Sequence, residues 1–398
     1  MKHILVIAPT YCRATCANGQ IERHFFPQLS PDEYHITMLC SDRWSYILEA
    51  GGCKTLRSPF NKWLDYGCRA MMHSPFPHIG NVPDKDYYSW GKRAIVEALN
   101  LAETTHFDII HSISMPCSSH VVAYEIKKRL HIPWIAQFYD PWAGNPFRVM
   151  KSDKMKELDL EWERLVAKEA DLVIHPCDAM IDFWVEQYGE QIREKIHILP
   201  FVTEVPSFTE RVRKDGEKLV ISHIGSFSEN RTSVHFLQGL DKLLSLHPED
   251  RNMVSVNFVG TVTEGEKKLI DKLGLNEIVN LVGRVSEEEC YKYYEASDLF
   301  LIVDIDCTPN LFYPSKIMKY FCYKKPILGL TSEKSVIRDE LTATGNYPLG
   351  YNDVDGVAEF LHRAITDYQS ILTNDRNHGE IFSVKNVISE YKNLLKQL

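Results

Sequence analysis

The chain has 398 residues, 44% of them apolar, with a formal net charge of −9. That is too long for one hydrophobic core and enough for two well-packed domains. The acidic balance, with basic residues scattered and no long run, argues against nucleic acid as a partner.

The first residues, M-K-H-I-L-V-I-A-P-T, hold a short apolar run closed by Pro9, Tyr11, Cys12 and Arg13. The run is too short to span a membrane and lacks the shape of a signal peptide, and no later window reaches about 18 apolar residues. A soluble, cytoplasmic protein is expected. The ten cysteines include no C-x-x-C pair, and Cys40 and Cys177 end apolar runs, where a free thiol packs well.

Short runs rich in Val, Ile and Leu then recur between helical stretches. They lie at Ile4–Ala8, Ile36–Leu39, Asp108–Ser112, Trp134–Phe138, Leu172–His175 and Ile196–Pro200 in the first half. In the second half they lie at Leu219–His223, Val254–Val259, Ile278–Val282, Leu299–Val303 and Ile327–Leu330. Such spacing predicts parallel sheets covered on both faces, hence an α/β chain of two doubly wound, Rossmann-like domains. Pro200, Pro206 and the charged segment Glu210–Lys218 place the boundary near Leu199–Lys218. The domains are then 1–205 and 206–375. The closing segment, 376–398, has Val387, Ile388, Tyr391, Leu394 and Leu395 on one helical stripe and should pack back toward the first domain. Asn61–Trp90, rich in Pro, Gly, Tyr and Trp, shows no clear period and reads as a long insertion that could cover a site. Neither half carries G-x-G-x-x-G after its first strand, which weakens a dehydrogenase reading.

The stretch Tyr313–Leu328 reads Y-P-S-K-I-M-K-Y-F-C-Y-K-K-P-I-L. Pro314 and Ser315 suit the start of a helix, and Lys325-Pro326 closes it before a strand. Ile317, Met318, Phe321 and Cys322 form a packed face, with Lys316, Lys319, Tyr320 and Tyr323 on the other. A helix start offers free N–H groups and the positive end of a dipole to an anion. A phosphate there points toward nucleotide-linked chemistry.

Several segments carry a family resemblance. They are L-V-I-S-H-I-G-S-F-S-E-N-R from Leu219, V-N-L-V-G-R-V-S from Val279, E-A-S-D-L-F-L-I from Glu295, and the Tyr313–Leu328 stretch. In this order they resemble the donor domain of family-four glycosyltransferases (glycosyl transferases group 1, bacterial glycan-biosynthesis type). G-Q-I-E-R-H from Gly19, F-D-I-I-H from Phe107 and I-P-W-I-A-Q-F-Y-D-P-W from Ile132 agree in the first half. The resemblance implies the GT-B fold, two Rossmann-like domains facing across a cleft, and transfer of a sugar from a nucleotide-sugar donor. It implies retained anomeric configuration and no cofactor or metal. The acceptor would be a glycan or a lipid-linked sugar, held by the first domain. Contact with the inner face of a membrane is compatible with such an acceptor. Closure of the cleft would favour transfer over hydrolysis.

The resemblance assigns the donor diphosphate to the backbone at Pro314, Ser315 and Lys316, and sets Gly225, Ser226 and Arg231 beside it. A glycine at a strand end lets backbone approach a ligand, and an arginine can fork onto a diphosphate. Gly283, Arg284 and Val285 would run beside the base, and Gly19 would approach the phosphates. Chemistry would rest on Arg231 and Lys316 stabilising the leaving diphosphate, with Asp140 orienting or deprotonating the acceptor. Tyr139, Trp142 and His111 complete the acceptor-side candidates, although an Asp-Pro turn, a core tryptophan and a structural histidine are the plain alternatives. One departure stands out. Counted back from Lys325-Pro326, the family's two glutamates fall on Leu311 and Lys319. A lysine can only donate, so Lys319 either serves a phosphate or leaves the ribose contact unmade. A nucleotide-sugar epimerase of the same fold, or a silent nucleotide- or sugar-binding subunit, remains an alternative. Asp304-Ile305-Asp306 spells a metal motif, D-x-D, that belongs to a different fold, and no metal is expected from it.

Overall fold

The computed structural model describes residues 1–11, 17–43, 52–72, 80–143, 145, 148, 152–209, 211, 213–214, 216–372 and 377–398. They fall into two units, Met1–Glu204 with Phe382–Leu398, and Val205–Ile381.

The first unit runs β1 (Lys2–Ile7), α1 (Ala17–Phe25), β2 (Tyr34–Ser41), β3 (Lys54–Ser58), α2 (Lys62–Met72), α3 (Lys92–Ala102), β4 (Ile109–Ile113), α4 (Ser118–Leu130), β5 (Trp134–Gln137), α5 (Asp153–Glu169), β6 (Leu172–His175), α6 (Ala179–Tyr188) and β7 (Ile196–Ile198). Its seven strands lie in the order β3-β2-β1-β4-β5-β6-β7, and every pairing is parallel. The register aligns Ile4 of β1 with Ile36 on one side and Ile109 on the other. β4, β5 and β6 are buried at every position, which is why their sequences read as unbroken apolar or small runs.

The second unit runs β8 (Leu219–Ile224), α7 (Val234–Leu246), β9 (Val254–Val259), α8 (Glu264–Lys272), β10 (Val279–Gly283), α9 (Glu287–Ala296), β11 (Leu299–Val303), α10 (Lys316–Cys322), β12 (Ile327–Thr331), α11 (Val336–Ala343), β13 (Tyr347–Gly350) and α12 (Val354–Thr366). Its six strands take the order β10-β9-β8-β11-β12-β13. Both sheets therefore reverse direction beside their first strand, the doubly wound arrangement whose ligands bind at carboxyl strand ends around that reversal. Capping boxes fix the starts of α8 (Thr263 with Glu266) and α9 (Ser286 with Glu289).

The chain returns to the first unit through α13 (Val384–Leu395). Its stripe Val387, Ile388, Tyr391, Leu394 and Leu395 is buried, Ser383 caps it, and Lys2 Nζ donates to the Leu395 carbonyl at 2.9 Å.

Three expectations change. Strands β3 and β13 are absent from the reading of apolar runs, because both are edge strands of partly exposed sequence, K-T-L-R-S and Y-P-L-G. The segment Asn61–Trp90 is not an irregular insertion, since it contains α2 and a π-helical turn at Tyr87–Gly91, while 73–79 lie outside the described residues. Finally, Tyr320 and Tyr323, expected opposite the packed face of this helix, are as buried as Ile317.

Candidate functional site

The reversal in the second unit lies between β8 and β11, and three side chains fill it. His223, near the end of β8, donates from Nδ1 to the Leu301 carbonyl at 2.9 Å. That tautomer leaves Nε2 as an acceptor, and Lys316 Nζ lies 2.9 Å from it. Tyr320 completes the group: its hydroxyl accepts from the Ile224 N–H at 2.9 Å and donates to the same Leu301 carbonyl at 3.3 Å. Burial, then the neighbouring charges of Lys316 and Arg231, hold His223 well below its ordinary pKa, so it is neutral. Burial and the charge of Arg231 likewise push the Lys316 amine well below the usual lysine range. A neutral imidazole thus props a lysine beside an arginine, an arrangement whose electrostatic strain an anion would relieve.

Backbone lies open next to these cations. Gly225 follows β8 with φ +144°, and a Cβ there would meet Lys316 Nζ at 2.5 Å. Gly260 follows β9 with φ +133°, where a Cβ would meet the Gly225 carbonyl at 2.5 Å. Gly225 N donates to the Val259 carbonyl at 2.7 Å, and Gly260 N to the Gly283 carbonyl at 2.8 Å. Three adjacent strands therefore finish on glycine, forming a ledge without side chains. Ser226 is exposed on it, its hydroxyl accepting from the Thr261 N–H at 3.2 Å. Arg284 is exposed and Val285 half-buried beyond Gly283.

Arg231 is fixed from both sides. Its backbone closes a tight hairpin with Ser228, N to O at 3.0 Å one way and 2.9 Å the other. Just after it, Glu266 accepts from the Ser233 N–H at 2.7 Å and from the Thr232 and Ser233 hydroxyls, anchoring the start of α7. The expected donor-side residues Gly225, Arg231 and Lys316 are thus brought together. Pro314 and Ser315 are half-buried at the start of α10, where Ser315 makes no side-chain cap bond.

Lys319 does not join them. It is ion-paired to Glu287 of α9 at 2.6 Å and lies over the Tyr291 ring at 5.2 Å. Its phosphate role is corrected accordingly: the side chain ties α10 to α9. The two aspartates of D-x-D also separate. Asp304 is buried, accepting from Ser335 Oγ at 2.5 Å and from the Ile305 N–H at 2.9 Å, while Asp306 is exposed. Burial raises the Asp304 carboxyl, with those bonds and the charge of Arg231 acting against it.

In the first unit most acceptor-side candidates are core residues. Trp142 is buried, its indole N–H donating to Asp159 Oδ1 at 3.0 Å, and its ring lies 5.8 Å from His120. A face packed in this way cannot stack on a sugar. Tyr139 is buried edge-on against Phe201 at 5.3 Å. His111 accepts from the Tyr391 hydroxyl at 2.7 Å and donates to Gln137 Oε1 at 2.9 Å. Burial lowers its pKa to about 3, so it is a neutral clamp on α13. Asp140, at the carboxyl end of β5, is half-exposed and stays the one candidate of that group at the surface. Gly19 is buried in the first turn of α1, and residues 12–16 of the loop before it lie outside the described residues.

Sequence reasoning passed over His223, Tyr320, Gly260 and Glu266. The signal for His223 was its place, a polar residue inside the buried strand L-V-I-S-H-I directly before Gly225.

Residues 63–201 match the model of Glycosyltransferase Family 4. Mannosylfructose-phosphate synthase of Agrobacterium fabrum is 25% identical over 158 residues, 36% of this chain and 35% of that protein. The match thus spans about a third of the relative's length. Among solved structures, sucrose-phosphate synthase from Thermosynechococcus elongatus superposes with a TM-score of 0.71 at 14% identity, covering 100% of this chain and 99% of that one. Anabaena HepE in complex with UDP gives 0.69 at 14% identity, with 100% of both chains covered. The chain therefore has the GT-B fold of glycosyltransferases over its whole length, and residues 63–201 of its first unit are similar to Glycosyltransferase Family 4.

Proposed function

We propose that this protein is a glycosyltransferase that moves a sugar from a nucleoside-diphosphate sugar to a glycan or lipid-linked acceptor. One observation carries the reading: Lys316, propped on neutral His223 and adjacent to Arg231, faces the glycine ledge at the sheet reversal. The donor diphosphate lies on that ledge. The C1–oxygen bond to the diphosphate breaks, an acceptor oxygen bonds to C1, and the acceptor proton leaves to the departing diphosphate. Arg231 and Lys316 stabilise the charge that develops on the leaving group. An anion there stabilises the protonated amine against burial and the charge of Arg231, so Lys316 takes up a proton as the donor binds. In this reading the reaction retains configuration, as the family resemblance implies, and uses no metal, because Arg231 and protonated Lys316 meet the diphosphate charge.

HepE was solved with UDP and with UDP-glucose, so UDP-glucose is the first donor to try. Among the described residues no helix is long and apolar enough to cross a membrane. Trp63, Leu64, Tyr66 and Met71 leave apolar surface exposed on α2, which supports a peripheral encounter with a lipid-linked acceptor. The test is a thermal-stability panel of nucleoside diphosphates and their sugars, with release of nucleotide followed in the presence of candidate acceptors. Stabilisation by at least one nucleoside diphosphate, lost in Arg231→Ala, is expected. No stabilisation by any member would overturn the reading.

A further inference from the structure

A second cluster of chemistry-bearing side chains lies at the opposite end of α7, and the donor reading makes no use of it. His247 ends the helix, and Pro248, which cannot continue it, opens a 3-10 turn over Pro248–Asn252. The Asp250 N–H donates back to the His247 carbonyl at 3.0 Å, so the two residues belong to one fixed turn. The third residue comes from α12. Gly239 lets α12 close onto α7, since a Cβ there would run into the Val357 side chain. That approach stacks the His362 ring on the His247 ring, centroids 3.6 Å apart and planes 12° from parallel. His362 Nδ1 lies 2.8 Å from Asp250 Oδ2.

His247, Asp250 and His362 each place a ligand atom within 4.8 Å of the others. The carboxylate is buried, 4% exposed, while the imidazoles are 35% and 34% exposed, so the cluster has a fixed floor and an open mouth. At the mouth, Glu249 Oε1 lies 3.5 Å from His247 Nδ1 on a side chain 70% exposed, free to swing inward.

We propose that His247, Asp250 and His362 form a binding site for a divalent transition-metal ion of the zinc class, with Glu249 supplying a fourth ligand and the part-exposed His247 ring turning out of its stack on His362 so that both imidazole lone pairs meet the ion. Two imidazoles with one or two carboxylates suit Zn²⁺, Ni²⁺ or Cu²⁺, and an all-oxygen preference sets Mg²⁺ and Ca²⁺ aside. The site is remote from the sugar donor. Thirteen residues of helix, about 20 Å at 1.5 Å each, separate it from the Arg231 end of α7. The ion therefore ties α7 to α12 and stiffens the second unit from behind, with no part in sugar transfer.

The test uses the full chain, stripped with EDTA, dialysed and titrated with zinc chloride by calorimetry. Cobalt(II) absorption then separates imidazole and carboxylate ligands from the protein's free thiols. One equivalent should bind, the cobalt spectrum should lack a thiolate charge-transfer band, and the melting temperature should rise by about 5 °C at a hundredfold excess over Kd. His247→Ala and His362→Gln should each weaken binding at least tenfold and cut the thermal shift by at least half, while the exposed His106→Ala should change neither. Circular dichroism checks that each variant folds; Asp250→Asn, which keeps the shape of the turn, stands in for any that does not. Absence of zinc binding, a thiolate band in the cobalt spectrum, or unchanged affinity in the folded variants would overturn the proposal.

Discussion

Both units bury a histidine on a central strand next to the sheet reversal, and the two histidines end on different partners. In the first unit, His111 of β4 meets a phenol and an amide, Tyr391 and Gln137. In the second, His223 of β8 meets a carbonyl and a lysine, with an arginine close by. Burial makes both imidazoles neutral. The neutral ring costs little once both nitrogens are bonded. What differs is the charge of the partner. A phenol and an amide pack His111 as core, whereas His223 sits beside the depressed Lys316 amine and Arg231, whose charged forms an anion would stabilise. The same fold thus yields a structural plug in one unit and a candidate binding site in the other. The seven tryptophans all precede residue 205, so tryptophan fluorescence reports on the first unit alone.

The largest effect that would break this comparison is acid sensitivity. Burial holds His111, His120 and His175 at about 3 in the folded first unit. These folded values lie below the unfolded 6.5, so the unfolded chain binds more protons between pH 6.5 and 3. Stability is full above pH 6.5 and falls as pH drops through that window. At about 1.4 kcal/mol per histidine per pH unit, the loss reaches roughly 8 kcal/mol between pH 6.5 and 4.5. Denaturant titrations followed by tryptophan fluorescence should show it; a midpoint that does not move would mean these histidines are protonated in the fold.

Next is Trp142→Ala, which should cost about 3–5 kcal/mol of first-unit stability and leave the acceptor KM of the folded fraction unchanged. A raised KM with little loss of stability would return Trp142 to the acceptor site. Third, Arg231→Ala should weaken nucleoside-diphosphate binding by about 10- to 100-fold, the worth of a charge-assisted bond, with the tryptophan-detected midpoint unmoved. The smallest effect belongs to Lys319→Met. Removing its pair with Glu287 should cost about 1 kcal/mol or less of stability and change donor affinity by no more than a few-fold. A loss as large as that of Arg231→Ala would place Lys319 in the donor site after all.

What could be read from the sequence follows from burial. Central strands such as Leu299–Val303, buried at every residue, announce themselves as apolar runs. The edge strands β3 and β13 do not, because one or both of their faces meet solvent. Gly225, Arg231 and Lys316 were singled out by the family resemblance, and the structure brings them together. His223 and Tyr320 were not, since a polar residue that bonds across strands shows no pattern along the chain. Lys319 was singled out by its place in the family pattern and Trp142 by residue type, and neither signal shows the partner distant in sequence, Glu287 or Asp159, that holds the side chain.

The central claim is that Lys316 is a depressed amine awaiting an anion. Calorimetric titration of UDP, or of whichever nucleoside diphosphate stabilises the protein most, tests it directly in two buffers of different ionisation enthalpy. In a pH range between the depressed pKa of Lys316 and its value in the complex, the account predicts net proton uptake on binding. Affinity should fall as pH rises through that range, and in Lys316→Met both the uptake and at least tenfold of the affinity should be lost. Binding without proton uptake, at equal affinity in Lys316→Met, would contradict it.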